Sequence, residues 1–194
     1  MIPVQDVLPS GRPPLATLTL VVLNALAFAA TAHGGSLPPP VTALFGETTL
    51  VNLIVSMWFL WLFGDNVEAR VGRLVAVTIY LAAGWLALHV SSVWGAPETP
   101  GLGVVGGVTG VLGAYFLLLP QARVLMFVPV PPALVEVPAM FFLGAWWLLQ
   151  LVRFVVAPAA ARVLTDGATV WALGAALVLG AAVCRVARRP MIWR

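Results

Sequence analysis

Six long stretches without a charged residue constrain this chain more than any other feature. Of its 194 residues, 61% are hydrophobic and only 9% are charged. Most of these stretches approach the roughly 20 apolar residues that a helix needs to cross a bilayer. They cover residues 15–32, 48–64, 74–93, 101–120, 137–152 and 167–184.

The sequence therefore predicts an all-α integral membrane protein, a single domain over residues 1–194 with six transmembrane helices. A mean hydropathy of +1.03 is too high for a soluble globular surface. The apolar segment 124–135 contains Pro129, Pro131 and Pro132, which break a helix, so we expect an interfacial loop there. The expected helices lie near 15–33, 47–64, 71–93, 103–119, 137–156 and 167–185.

The arginines predict the orientation in the membrane. If the N-terminus is cytoplasmic, eight of the ten basic residues lie inside and only Arg153 and Arg162 lie outside. This positive-inside bias places both termini in the cytoplasm. The basic residues are too scattered for a nucleic-acid groove. The single cysteine, Cys184, excludes an intrachain disulfide and a multi-cysteine metal site, and we expect no metal and no cofactor.

Small residues recur at helical spacing in the fourth and sixth stretches. Gly106 and Gly110 form a GxxxG pair, and such a stripe lets helix backbones approach closely in lipid. We therefore expect the two helices to be neighbours in the interior. The candidate packing residues are Gly103, Gly106, Gly110, Gly113, Ala176 and Gly180.

Four short strings follow one another in an order that is specific when they are taken together. The strings are Val22-Leu23-Asn24 with Phe28; Phe63-Gly64-Asp65-Asn66-Val67-Glu68 with Arg70, Gly72 and Arg73; Gly110-Val111-Leu112-Gly113-Ala114-Tyr115-Phe116 with Pro120 and Ala122-Arg123-Val124; and Glu136-Val137-Pro138-Ala139 leading to Leu149-Gln150-Leu151. In this combination they resemble the bacterial rhomboid family of intramembrane serine proteases over nearly the whole chain.

The resemblance implies a six-helix fold with a serine nucleophile at the start of the fourth helix and a histidine base on the sixth. A histidine and an asparagine on the second helix would hold the oxyanion. The family's Gly-x-Ser-Gly string matches Gly103-Val104-Val105-Gly106 here, so Val105 occupies the nucleophile position. Leu173 stands at the base position, and Asn52 and Ser56 stand at the oxyanion positions. None of the four is the family's residue.

The remaining polar residues have structural interpretations. The chain has two histidines, His33 and His89, and none follows His89, so no shift of register restores a base on the sixth helix. Ser91 and Ser92 lie close to His89 along the chain, but no orienting carboxylate stands beside them. We expect His89 to be interfacial or packed, Thr109 to bond back to its own helix, and Asn52 with Ser56 to form interhelical hydrogen bonds.

Acidic and amide side chains cluster at the cytoplasmic end of the second stretch. We expect Asp65, Asn66 and Glu68 to cap the start of the third helix and to pair with Arg70 or Arg73.

The leading functional hypothesis is a non-proteolytic rhomboid pseudoprotease in a bacterial inner membrane. Its partners would be the lipid bilayer and the transmembrane helices of client proteins, as the resemblance to inactive relatives such as iRhoms and derlins implies. One alternative is an active intramembrane serine endopeptidase, which is the family's activity. A small transporter or channel is a further alternative, disfavoured because the span interiors carry no ionisable group except His89.

Overall fold

The computed structural model describes residues 2–6, 13–47, 49–93, 101–129, 132–139, 141, 144, 148 and 167–187. Side chains are described within residues 13–47, 49–93, 101–125 and 135–139, at 141, 144 and 148, and over 174–186. Most of the fifth expected helix, 137–156, lies outside these residues. The described parts of that range are the end of a strand at Pro138 and isolated helical positions, of which Phe141 is one.

Six helices occur among the described residues, together with a small sheet of three strands. Three of the helices are long and apolar enough to cross a membrane, namely α1, α3 and α4. The elements are β1 (Ile2–Asp6), α1 (Leu15–Ala32), α2 (Pro39–Phe45), α3 (Leu50–Val71), α4 (Arg73–Val93), α5 (Leu102–Leu118), β2 (Arg123–Pro129), β3 (Pro132–Pro138) and α6 (Gly167–Ala187).

The sheet corrects the expectation of an all-α chain with a loop over 124–135. The strand order is β1-β2-β3 with antiparallel neighbours, and β2 and β3 form a hairpin. The prolines that break a helix here are compatible with strands because Pro129 and Pro132 form the last pair before the turn. The Arg123 guanidinium lies 3.2 Å from the Glu136 carboxylate across the hairpin. The residues of the two strands β2 and β3 are mostly β-branched or large apolar types, which favour strands.

Helix α1 begins without a capping side chain of its own, because Pro14 precedes it. The buried carboxylate of Glu68, on α3, replaces that cap and accepts hydrogen bonds from the backbone N–H groups of Ala16 at 3.0 Å and Thr17 at 2.8 Å. The Thr17 hydroxyl donates to the same carboxylate at 3.0 Å. A carboxylate at a helix start also faces the positive end of the helix dipole. Glu68 therefore fastens α1 to the end of α3.

One of the two predictions for Glu68 is confirmed and the other is wrong. Arg73 lies 3.6 Å from the Glu68 carboxylate, so this predicted ion pair is present. The prediction that Glu68 caps the third helix is wrong, because its hydrogen bonds go to the start of α1. Helix α4 follows α3 after Gly72 alone, and the φ of +89° at this glycine is one that other residues rarely adopt.

Helix α5 is the centre of the bundle. Its residues from Leu102 to Tyr115 are buried, except for the partly buried Val105. Glycines allow this, because their missing side chains leave room for neighbouring helices. A Cβ at Gly113 would strike the Leu177 backbone, and one at Gly180 would strike the backbone of Gly110. Helices α5 and α6 thus meet backbone to backbone, which is how small residues bring helices together in lipid.

The same stripe of α5 also packs against α4. A Cβ on Gly106 would meet the Ala87 side chain, and one on Gly110 would meet the Ala83 side chain. Ala176, on α6, is fully buried at the same contact, and its carbonyl oxygen lies near Gly110. Helices α4, α5 and α6 therefore form one tightly packed group.

A buried hydrogen bond joins α1 to α4. The Tyr80 hydroxyl donates to Asn24 Oδ1 at 3.1 Å, and both side chains are fully buried. Asn24 Nδ2 in turn donates to the Leu20 carbonyl oxygen at 2.7 Å. Since neither water nor lipid replaces these partners inside a bundle, the pair fixes how α1 lies on α4.

We expect Tyr80→Phe to lower the free energy of unfolding by about 0.5–2 kcal/mol, because Asn24 Oδ1 loses its donor while the ring remains. Thermal unfolding in detergent micelles measures the change. Thr19→Val is the matched control, since the exposed Thr19 hydroxyl bonds only to the Leu15 carbonyl of its own helix turn. Equal effects of the two substitutions would contradict a structural role for the Tyr80–Asn24 pair.

Candidate functional site

Val105, at the position that the family resemblance gives to the nucleophile, lies in the first turn of α5. It is partly buried and packs against a small apolar cluster that includes Leu102, Ala87 and Ala176. One turn further along, the buried Thr109 hydroxyl donates to the Val105 carbonyl oxygen at 2.7 Å. Thr109 thus bonds to its own helix, as predicted. The surroundings of Val105 are those of a packed apolar side chain.

Of the other three family positions, the structure describes the side chains of Ser56 and Asn52. Ser56 is buried on α3, whereas Asn52, one turn earlier, is exposed, and its backbone N–H donates to Thr49 Oγ1 at 3.2 Å. The expected interhelical hydrogen bond is not the one observed for Ser56, whose hydroxyl bonds to Glu47 in the segment between α2 and α3. Leu173 belongs to α6, but its side chain lies outside the described ones.

Ser56 bonds to a carboxylate that the sequence analysis did not single out. Its hydroxyl donates to Glu47 Oε1 at 3.2 Å, and Glu47 is only 5% exposed. Glu47 Oε2 would lie 2.7 Å from a Cβ on Gly101, the residue that precedes α5. The carboxylate thus connects Ser56 on α3 with the start of α5. The only sequence signal was a lone acidic residue between two apolar segments.

Gly101 has the backbone conformation that this contact requires. Its φ of +84° lies in the left-handed region, and it is the residue that begins α5 without a side-chain cap. An alanine there would be strained by its φ and would also collide with Glu47. The glycine therefore permits a buried carboxylate to lie at the positive end of the α5 dipole.

His89 and Ser91 do not form a nucleophile and base. His89 is exposed, and its ring stacks on Trp85 with centroids 5.2 Å apart. Ser91 is buried, and its hydroxyl oxygen has no hydrogen-bond partner among the described residues. The two side chains point to different faces of α4, since residues two apart in a helix do not face each other. Ser92 instead donates to the His89 carbonyl oxygen at 2.8 Å.

In the part of the chain that the structure describes, no three histidine, cysteine, aspartate or glutamate side chains are arranged to hold a metal ion. The two buried carboxylates described above, Glu47 and Glu68, both lie at helix starts and accept hydrogen bonds from hydroxyl groups. Their observed contacts are those of structural anchors.

The fold is that of a helical membrane protein, and the first turn of its central helix, α5, packs in an apolar cluster. The model of the rhomboid domain matches residues 39–187, well over half of the chain, and the chain belongs to the rhomboid family. The resemblance inferred from the sequence strings is thereby confirmed. The matched region begins at α2, so α1 precedes it.

Two curated relatives are similar to this chain. They are the proteins named presenilin-associated rhomboid-like protein, mitochondrial, of Mus musculus and of Rattus norvegicus. Each is 29% identical over 96 residues, which make up 47% of this chain. The match spans only 26% of the length of each relative. No solved structure matches the chain.

We expect Ser56→Ala to lower the free energy of unfolding by about 1.5–3 kcal/mol, because a buried carboxylate loses its hydroxyl donor. Thermal unfolding in micelles again measures the change. Ser92→Ala is the control, because the Ser92 side chain is exposed and bonds within its own helix. A Ser56→Ala protein as stable as the control would show that the Ser56–Glu47 bond does not stabilise the fold.

Proposed function

We propose that this rhomboid-family chain is a pseudoprotease that binds transmembrane helices of client membrane proteins without cleaving them. The observation that carries the proposal is Val105 at the family's nucleophile position, packed among apolar side chains at the start of α5. A valine has no hydroxyl to deprotonate, and Leu173 offers no base. Neither half of the nucleophile and base pair is present.

The surroundings of Val105 support the absence of hydrolysis. Hydrolysis needs water beside the reacting carbon, but the cluster against which Val105 packs is made of alanine and leucine side chains, with leucine and valine at its edge. The one buried serine near the outer end of α4, Ser91, lies away from the His89 ring, so it is not activated. These features favour a bundle that is dry at this place.

Binding of helices is supported by the exposed face of α3. Val51, Val55 and Trp58 are 69%, 49% and 46% exposed, and together they present an apolar strip to the lipid. Asn52 is exposed beside Val55 and can donate its amide to a neighbouring helix. An amide on an apolar strip is a common means of helix association in membranes. We therefore place the client helix along this strip, which we call the α3 strip (Val51, Asn52, Val55 and Trp58).

The proposal includes an arrangement in the membrane. The chain would have six spans, with both termini in the cytoplasm. The end of α3, the start of α4 and the ends of α5 and α6 would then lie on the cytoplasmic side. The arginines on that side include Arg70, Arg73, Arg123 and Arg185. We place the protein in the cytoplasmic membrane of a bacterium, because its sequence strings resemble those of bacterial rhomboids. The matched relatives, by contrast, are named as mitochondrial proteins.

Active intramembrane proteolysis, the alternative, is tested directly. We expect the purified protein in lipid vesicles not to cleave a transmembrane substrate that an active rhomboid cleaves under the same conditions. We also expect no labelling by a fluorophosphonate, which reacts only with an activated serine. Cleavage that persists after contaminating proteases are removed, or labelling of a serine in this chain, would disprove the pseudoprotease assignment.

Client binding requires a separate measurement. A photo-crosslinking amino acid at Val55 is expected to capture single-span helices reconstituted in the same vesicles. The control position is Leu26, which lies on α1 and is 60% exposed. No residue three or four positions away from it on α1 carries an amide side chain. Asn52→Leu should reduce capture at Val55 by roughly threefold or more, the effect of losing an interhelical hydrogen bond. Equal capture at Val55 and Leu26, unchanged by Asn52→Leu, would show non-specific contact in the bilayer and end this part of the proposal.

A further inference from the structure

A groove on the surface of the bundle lies between the start of α4 and the end of α6. Its volume is about 390 Å³, and the residues that line it are Val75, Thr78, Ala182, Val183 and Val186. One wall comes from the first turns of α4 and the other from the last turns of α6, so the two helices run antiparallel and these ends lie at the same end of the bundle. The volume is within the range of roughly 300–1,000 Å³ that is typical of ligand pockets. We call this surface the α4–α6 groove.

The lining of the α4–α6 groove is apolar. Four of its five residues are valine or alanine. The hydroxyl of the fifth, Thr78, donates to the Leu74 carbonyl oxygen at 2.9 Å within its own helix, so the lining has no side-chain group left to donate a hydrogen bond. Val186, at the end of the groove, is 89% exposed. This surface suits a hydrocarbon chain, which would bind it by close van der Waals contact.

A positive charge stands beside this apolar lining. Arg185 is exposed and lies three residues after Ala182, a spacing that makes the two neighbours on the surface of α6. It forms no ion pair with any residue that the structure describes, whereas Arg73, the first residue of α4, lies 3.6 Å from the Glu68 carboxylate. The guanidinium of Arg185 is therefore available to a ligand.

The sequence around the groove keeps its charge positive. Helix α4 contains no acidic residue, and residues 167–194 contain four arginines and no acidic residue. Clusters of basic residues at the end of a membrane helix attract anionic lipid headgroups. A guanidinium group also matches the geometry of a phosphate, to which it can donate two parallel hydrogen bonds. The charge beside the groove is thus complementary to a phosphate that carries a hydrocarbon chain.

We propose that the α4–α6 groove is a binding site for an anionic phospholipid, with an acyl chain along the apolar lining and the phosphate at Arg185. The lining selects a lipid over a soluble anion, and the arginine selects an anionic headgroup over a zwitterionic one. The site lies on other helix faces than Val105 and the α3 strip. It goes beyond the proposed function and does not depend on whether the chain cleaves peptides.

Native mass spectrometry of the purified protein in neutral detergent micelles tests the site. The protein is given an equimolar mixture of phosphatidylglycerol and phosphatidylcholine with the same acyl chains. We expect adducts of phosphatidylglycerol to predominate. Arg185→Gln should lower the ratio of phosphatidylglycerol to phosphatidylcholine adducts by about fivefold, the effect of one arginine near an anionic surface. Ala182→Phe should remove most adducts of both lipids, because the ring fills the groove.

Each variant has a matched control. Arg123→Gln also removes an exposed arginine, but one that already lies 3.2 Å from Glu136, so the lipid ratio should stay unchanged. Ala25→Phe adds the same ring at an exposed alanine of α1, away from the groove, and should leave both adducts in place. Inorganic phosphate in excess should not displace phosphatidylglycerol, because it lacks the chain that fills the groove.

Three results would overturn the site. Equal adducts of the two lipids on the native protein would remove the recognition of charge, and full binding by Ala182→Phe would place the lipid elsewhere. A dimer that Ala182→Phe dissociates, formed in place of lipid adducts, would assign the groove to a second copy of the chain. Cleavage of a substrate by the native chain would end the proposed function without changing any of these lipid ratios, so the two failures are distinguishable.

Discussion

The structure depends on the close approach of α4 and α6 to α5. Gly106 and Gly110 receive the side chains of Ala87 and Ala83 from one side, while Gly113 and Gly180 bring the backbones of α5 and α6 together on the other. In lipid, apolar surface gives no driving force for helix association, so the attraction must come from close van der Waals contact. A larger side chain at any of these glycines would separate two backbones. The buried state of α5 follows from this contact.

Once α5 is central, its first turn becomes the place where the other elements meet. Ala43 and Leu44 lie against Gly103, the Glu47 carboxylate lies against Gly101, and Ser56 reaches the same carboxylate from α3. A second carboxylate, Glu68, performs the equivalent task for α1. Both acids stand near the positive end of a helix dipole and accept a hydroxyl bond, which offsets the cost of burying them. Both buried acids among the described residues thus lie at helix starts.

The sequence predicted those parts of the fold that depend on local composition. The apolar stretches predicted helices, and three of those observed are long enough to span a membrane; the glycine spacing predicted that α5 and α6 are neighbours. The hairpin was missed because the prolines were taken only as evidence against a helix. Prolines at the end of a strand pair are well tolerated, so they did not exclude strands. The helix that Glu68 caps was predicted wrongly because Thr17 lies 51 residues away, and no local pattern indicates such a contact. Glu47 was missed for the same reason, since its significance comes from Gly101, more than fifty residues later.

The packing at the start of α5 accords with the non-proteolytic function proposed above. A serine and histidine pair requires a hydroxyl, a base and room for water, whereas Val105 contributes apolar surface to a cluster with Leu102, Ala87 and Ala176. A valine in such a place has no hydroxyl that would need a hydrogen-bond partner. Ser91, by contrast, has a buried hydroxyl without a hydrogen-bond partner among the described residues, which is an unfavourable arrangement. Val105 therefore adds to the close apolar packing at the start of α5.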